Sequence, residues 1–180
     1  MIGFLKRYWC RKDGVAAVEA AMVFPVLLVM MLGVFDFGQA IMCNQKTIKA
    51  SQVVADLVTR NQEILDTEVD DAIDAGTLSL MPYNDETLGF DIISIRFLDD
   101  ATPEIVWQET RNMTASTLPE IQERTLPLAE AGSGVVMVIS EYDYRPVFAG
   151  FVADEIPMQE VAFARGRRSA VVCKPGATGC

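Results

Sequence analysis

Between Val15 and about Met42 the chain is apolar at nearly every position, and Glu19 and Asp36 are the only charges in the stretch. At 1.5 Å per residue a helix of that length crosses a hydrocarbon core of roughly 30 Å, so the pattern predicts one transmembrane helix. From Asn44 to about Asn61 the pattern changes, with Ile48, Val53, Val54, Leu57 and Val58 recurring at helical steps. The same helix should therefore run on as an amphipathic one whose apolar stripe needs a partner surface. A second helix is predicted over Glu63 to Ala75, with Ile64, Leu65, Val69 and Ile73 on one face and Gly76 in the position of a helix stop. Leu78 to Tyr83 reads as an extended link, because Pro82 biases its predecessor away from helix.

Beyond this point the period becomes strand-like. Phe90 to Leu98, Glu104 to Thr110, Val135 to Tyr144 and Ile156 to Phe163 are rich in β-branched and aromatic residues, enough for one sheet of four strands. In the first of them Phe90, Ile92, Ser94, Arg96 and Leu98 alternate with Asp91, Ile93, Ile95 and Phe97. The more apolar row on one face suggests a sheet packed on helix there and wet on the other side. Asp99 to Pro103 looks like the turn of a hairpin, and Gly132-Ser133-Gly134 like a strand-entry turn. Thr117-Leu118-Pro119-Glu120 resembles a capped helix start, with Ile121 to Arg124 as a short turn of helix. The fold class that follows is α+β: a long N-terminal membrane helix that continues into a domain where an antiparallel sheet packs on helix.

Charge orients this arrangement. Lys6, Arg7, Arg11 and Lys12 precede the apolar run against the single acid Asp13, whereas only Lys46 and Lys49 follow closely. The positive-inside bias puts the N-terminus in the cytoplasm, with residues 1–14 as a basic leader, 15–42 in the membrane and 43–180 as an outer domain of ordinary size. A secretory signal peptide is the competing reading, and Gly38-Gln39-Ala40 loosely imitates a cleavage site. Its apolar core is typically about 7 to 15 residues, shorter than this run.

Composition narrows the chemistry. The net charge is −10, and four of the fifteen basic residues lie before the membrane, so the outer part is more acidic still and a poor partner for nucleic acid. Histidine is absent, which removes the commonest general base and zinc ligand, and the chain is expected not to be an enzyme. No cofactor and no small-molecule substrate is expected. Asp66, Glu68, Asp70, Asp71 and Asp74 lack the glycine and terminal acid of an EF-hand, since Asp71 and Thr77 stand there, and read as a solvated helix face. Asp85-Glu86 and Asp154-Glu155 read as surface pairs, and Asn112-Met113-Thr114 fits a glycosylation acceptor. Arg165, Arg167 and Arg168 read as solvated charges at a sheet edge, with acidic lipid or an acidic neighbouring subunit as the sharper alternative. Cys173 and Cys180 either close a small disulfide loop around Lys174-Pro175-Gly176 or remain separate tail thiols.

The acids inside the apolar run stand apart, because a carboxylate in hydrocarbon costs about 2.5 to 3.5 kcal/mol on insertion scales. Asp36 is near the outer end and is expected to reach the headgroups at modest cost. Glu19 follows a basic leader and lies five residues after Gly14. A cut after Gly14 would create an α-amine on Val15 one turn from Glu19, and an amine–carboxylate pair between adjacent chains would set the axial register of packed helices.

Gly14-Val15-Ala16-Ala17-Val18-Glu19, then Ala21-Met22-Val23-Phe24-Pro25, an apolar run and Gly33-Val34-Phe35-Asp36-Phe37-Gly38 resemble the N-terminal segment of TadE-like proteins. These are minor pilins or pseudopilins of the bacterial tight-adherence (Flp-type) pilus system. The resemblance covers about Asp13 to Gln39, and the chain length is similar to the TadE or TadF type rather than the longer TadG type. It implies cleavage between Gly14 and Val15 by a prepilin peptidase, with Glu19 used in recognition or assembly. Ala20 stands where processed members commonly carry an aromatic residue. The implied partners are the inner membrane, the prepilin peptidase, other pilins and the pilus assembly platform, with the C-terminal domain periplasmic. The alternative from another class is an unprocessed single-pass envelope protein whose outer domain binds or scaffolds a periplasmic partner.

Overall fold

A computed structural model describes residues 13–98, 102–148, 150, 154–177 and 180. Helix α1, Asp13–Val58, is unbroken along its 46 residues although Pro25 lies inside it. Its two halves differ in surroundings. From Gly14 to Met31 every residue is exposed, and the most apolar window, of mean hydropathy 2.4, has none of its residues buried. From Asp36 onward one stripe is buried, through Ala40, Cys43, Thr47, Ala50, Ser51, Val54, Ala55 and Val58. These residues recur at three and four steps, and most are small, so the helix axis can lie close to the sheet.

Helix α2, Asp66–Leu80, packs against the embedded half of α1. Its start is held by the Glu68 carboxylate, which accepts the Leu65 N–H at 2.9 Å. The helix runs through Gly76, where a stop was expected, and takes in Leu78 to Leu80 of the expected extended link. Gly76 is there for close approach: a Cβ at this position would meet Val54 Cγ2 at 2.5 Å and Phe90 Cζ at 3.0 Å. Packing against α1 outweighs the helix-breaking tendency of one glycine, which is only about 1 kcal/mol.

The four strands are β1, Gly89–Phe97; β2, Pro103–Arg111; β3, Gly134–Tyr144; and β4, Ile156–Ala164. They form one antiparallel sheet in the order β2-β1-β3-β4, with β1 and β2 paired as the expected hairpin. Helix α3, Leu118–Thr125, separates the hairpin from β3. Its first turn is closed by the Glu120 carboxylate on the Thr117 N–H at 2.9 Å.

The sheet is covered on both faces, which corrects the expectation of one wet side. Phe90, Ile92, Val136, Val138, Tyr142, Tyr144 and Met158 pack with the buried stripe of α1. The more apolar row, Ile93, Ile95 and Phe97, instead faces away from α1 and forms a second core with Val135, Met137, Ile139 and Ile121 of α3. Alternation correctly separated the two rows, but an eight-residue helix interrupted by prolines in its surroundings carried too weak a pattern to announce the second layer.

Candidate functional site

At the bare end of α1, Gly14 and Val15 are already helical, and a Cβ on Gly14 would meet nothing within 4 Å. Val15 is 58% exposed, and Glu19, four residues on, lies on the same face of the helix and is also exposed. Among the described residues no side chain pairs with Glu19. The basic leader that precedes it lies outside the described residues, apart from Asp13 and Gly14 in the helix.

Where the bare half meets the domain, Asp36 departs from expectation. It does not reach outward to headgroups: it is 4% exposed, and its carboxylate accepts the Val147 N–H at 3.2 Å and the Phe148 N–H at 2.7 Å. Charge-assisted bonds from backbone amides compensate a buried carboxylate, and here they tie the β3–β4 connection to the helix. Beside them the Phe35 and Phe148 rings meet edge to face with centroids 5.8 Å apart. On the other flank the Tyr83 hydroxyl donates to Gln39 Oε1 at 3.0 Å, and the Tyr83 and Tyr144 rings contact at 6.2 Å.

Together these groups border an open groove of about 670 Å³, lined among others by Phe35, Gln39, Tyr83, Tyr142, Val147 and Phe148. Burial pushes the Tyr142 phenol up to about 12 and raises Tyr83 and Tyr144 as well. The three phenols stay protonated at neutral pH and offer apolar surface, with Tyr83 donating to Gln39, rather than acting as bases.

At the far end of α1 the chain after β4 forms a strap. The Val172 carbonyl accepts both Ser94 Oγ at 2.7 Å and Trp107 Nε1 at 2.8 Å, so β1 and β2 each hold it. Ile64 donates to the Cys173 carbonyl at 2.9 Å, and Cys173 donates to Gln62 at 3.0 Å. A Cβ on Gly134 would come within 2.4 Å of the Ala170 carbonyl, so glycine at the start of β3 leaves room for the strap. The structure joins Cys173 to Cys180, whose Cα atoms are 5.7 Å apart. Cys43, by contrast, is a free thiol buried under the sheet.

Lys174 anchors this strap through Asp66 at 2.6 Å and Glu109 at 2.9 Å, with its ammonium 5.8 Å from the centroid of the Trp107 ring. Burial works to lower the Lys174 pKa, but the hydrogen bonds to Asp66 and Glu109 outweigh it and raise the value. The Lys174 hydrogen bond in turn holds the Glu109 carboxyl below its ordinary range, against the opposing effect of burial.

Several other charged groups have structural partners. Of the α2 acids, Asp66 holds Lys174, Glu68 caps the helix and Asp70 pairs with Arg111 at 3.1 Å, so part of the expected solvated face is a seam between elements. Arg165 pairs with Glu130 at 3.1 Å and Arg167 with Asp56 of α1. Two of the three arginines are therefore ion-paired, not simply solvated at a sheet edge. Glu155 is bound by Arg145. Asn112, in a left-handed turn at φ 52°, spends its side-chain amide on the Glu86 and Leu88 carbonyls at 2.9 and 3.0 Å.

Gly14, Val15 and Glu19 are thus not brought to any other part of the described structure. The junction around Asp36, Gln39, Tyr83 and Phe148 escaped the sequence reading. One signal for it was available: Asp36 is in phase with Ala40, Cys43 and Thr47 on the buried stripe. Another was the β3–β4 connection, which has no charge between Arg145 and Asp154.

Neither the curated proteins nor the solved structures include a significant match to the chain. A family model described as TadE-like protein matches residues 14–56. The matched region begins at Gly14 and extends past the bare half of α1 into the embedded stripe, so it takes in both Glu19 and Asp36. Residues 14–56 of this protein are thus similar to the TadE-like family, and they lie on a helix long and apolar enough to cross a membrane.

Proposed function

We propose that the protein is a minor pilin or pseudopilin of a tight-adherence (Flp-type) pilus system, without enzymatic activity, held in the inner membrane by α1. Its N-terminus lies in the cytoplasm and its α+β domain in the periplasm. A prepilin peptidase cuts between Gly14 and Val15, and the new α-amine and Glu19 pair with neighbouring subunits during assembly.

The observation that carries this reading is the TadE-like segment on a helix whose first half is apolar and exposed all round. In lipid such a helix has no hydrophobic drive to associate, and a polar pair at its end supplies register. Glu19, exposed and unpaired among the described residues, is available for that role.

Intact mass and N-terminal sequencing of the membrane fraction, with and without the peptidase, test the proposal. A mature chain beginning at Val15 only when the peptidase is present is the expected result, and an uncut chain in both strains sinks it. In the same strains Glu19→Ala should leave membrane insertion intact and lower the number of pili.

A further inference from the structure

The connection between β3 and β4 has an unusual sequence for a loop. From Pro146 to Ala153 it reads Pro-Val-Phe-Ala-Gly-Phe-Val-Ala, with no charged residue and no side-chain hydrogen-bonding group. Connections over a water-facing surface are ordinarily polar, and exposed apolar runs mark contact surfaces. Val147 and Phe148 in this connection are exposed, at 68% and 47%.

Its position gives the surface an occupant. At 1.5 Å per residue the helix from Val15 to Phe35 rises about 30 Å, the thickness of a hydrocarbon core. Phe35 then lies at the outer boundary of that core, and Phe148 is in ring contact with it. The tie is built: the buried Asp36 carboxylate takes the N–H groups of Val147 and Phe148 and fixes the apolar tip beside the helix at this level. The polar end of the connection is held separately, with Arg145 bound to Glu155.

We propose that Val147 and Phe148, set beside Phe35, form a second membrane contact, seated in the outer interface of the same bilayer that α1 crosses. The inference rests on α1 being a membrane anchor. With two points of contact instead of one, the domain has a fixed tilt and rotation against the bilayer. The carboxylate of Asp36 serves as the brace that holds the tip in place.

Depth-dependent quenching tests this in the full chain reconstituted in phosphatidylcholine vesicles, with Trp9 replaced by Phe and Trp107 retained as the common background. Two variants are compared, Phe148→Trp and Met30→Trp, with lipids brominated near the headgroup or deep in the acyl chain. In Phe148→Trp the added indole emission should fall by roughly half with shallow bromines and less with deep ones, as for a group about 5 to 10 Å below the headgroup surface. For Met30→Trp the order should reverse.

Quenching of position 30 without quenching of position 148 overturns the second contact while the anchor stands. No quenching at either position overturns the anchor itself. Emission at position 148 that is insensitive to bromine but changes with protein-to-lipid ratio overturns the proposal in favour of contact with a second subunit. Asp36→Asn in the Phe148→Trp background should weaken the quenching at 148 and leave it unchanged at 30 in the parallel Met30→Trp chain.

Discussion

The two halves of α1 are one continuous helix with two different surfaces. Up to Met31 it presents Met22, Phe24, Leu27, Met30 and their neighbours outward on every side. After Asp36 it presents a narrow stripe of Ala, Cys, Thr, Ser and Val to the sheet and to α2 and keeps Lys46 and Lys49 off it. The difference is one of solvent. A helix apolar all round suits hydrocarbon, whereas a helix packed on a sheet needs one face that is small enough for close approach and can be polar elsewhere. Asp36 marks the change: it is the first buried residue of α1 among those described, and it is buried by the domain.

The contrast is broken most strongly by truncating one phenylalanine in each environment. Phe90, 1% exposed on β1 under the embedded half, should cost about 3 to 5 kcal/mol as Phe90→Ala, from lost burial and the cavity left behind. Phe24 on the bare half is 63% exposed, and Phe24→Ala should change domain stability by no more than about 0.5 kcal/mol. Urea midpoints of the full chain in detergent check both. Equal effects would mean that the bare half belongs to the folded core.

The boundary itself comes next. Asp36→Ala leaves the Val147 and Phe148 amides without their acceptor and should destabilise the domain by about 1 to 3 kcal/mol. Hydrogen exchange at those two amides should rise more than at the β3 ladder, and an unchanged exchange pattern would show that Asp36 does not brace the connection.

The smallest expected effect lies furthest from the membrane, at the strap. Glu109 has a folded pKa below its usual 4.5, chiefly because of the Lys174 hydrogen bond. A depressed carboxylate stabilises the fold above its unfolded pKa, and that stabilisation disappears as pH falls through the folded value. The pair is partly screened, so the contribution is under about 1 kcal/mol. Stability measured from pH 5 downward should therefore fall more steeply in the unsubstituted chain than in Lys174→Met, whereas Phe24→Ala should follow the unsubstituted chain. Parallel curves for the unsubstituted chain and Lys174→Met would remove the strap from the acid response.

Much of this was legible from spacing. The long apolar run, the amphipathic continuation of the same helix, the hairpin and the four strands follow from local periodicity, and the structure has them, with the buried stripe beginning at Asp36 rather than after Asn44. Gly76 was misread because a glycine after an apolar face looks the same whether it ends a helix or faces a phenylalanine, and only Val54 and Phe90 distinguish the cases. Asp36 was misread for a related reason: its partners, the Val147 and Phe148 amides, lie more than a hundred residues away. Of the apolar stripe expected on α1, Val54 and Val58 are fully buried, whereas Ile48, Val53 and Leu57 are only half-buried and Thr47, Ala50 and Ser51 take the deeper positions.

By itself the sequence determined that a helix able to span a bilayer leads into an α+β domain with a four-stranded antiparallel sheet, and that residues 14–56 are similar to the TadE-like family. Hydrophobic period and length are local properties, and solvent partitioning acts on them directly. Only the tertiary structure decided which residues of α1 touch the sheet, that both sheet faces are covered, and that Asp36 is held by the connection beside Phe35. Each of these depends on groups far apart in the chain, whose contacts exist only once the layers have packed.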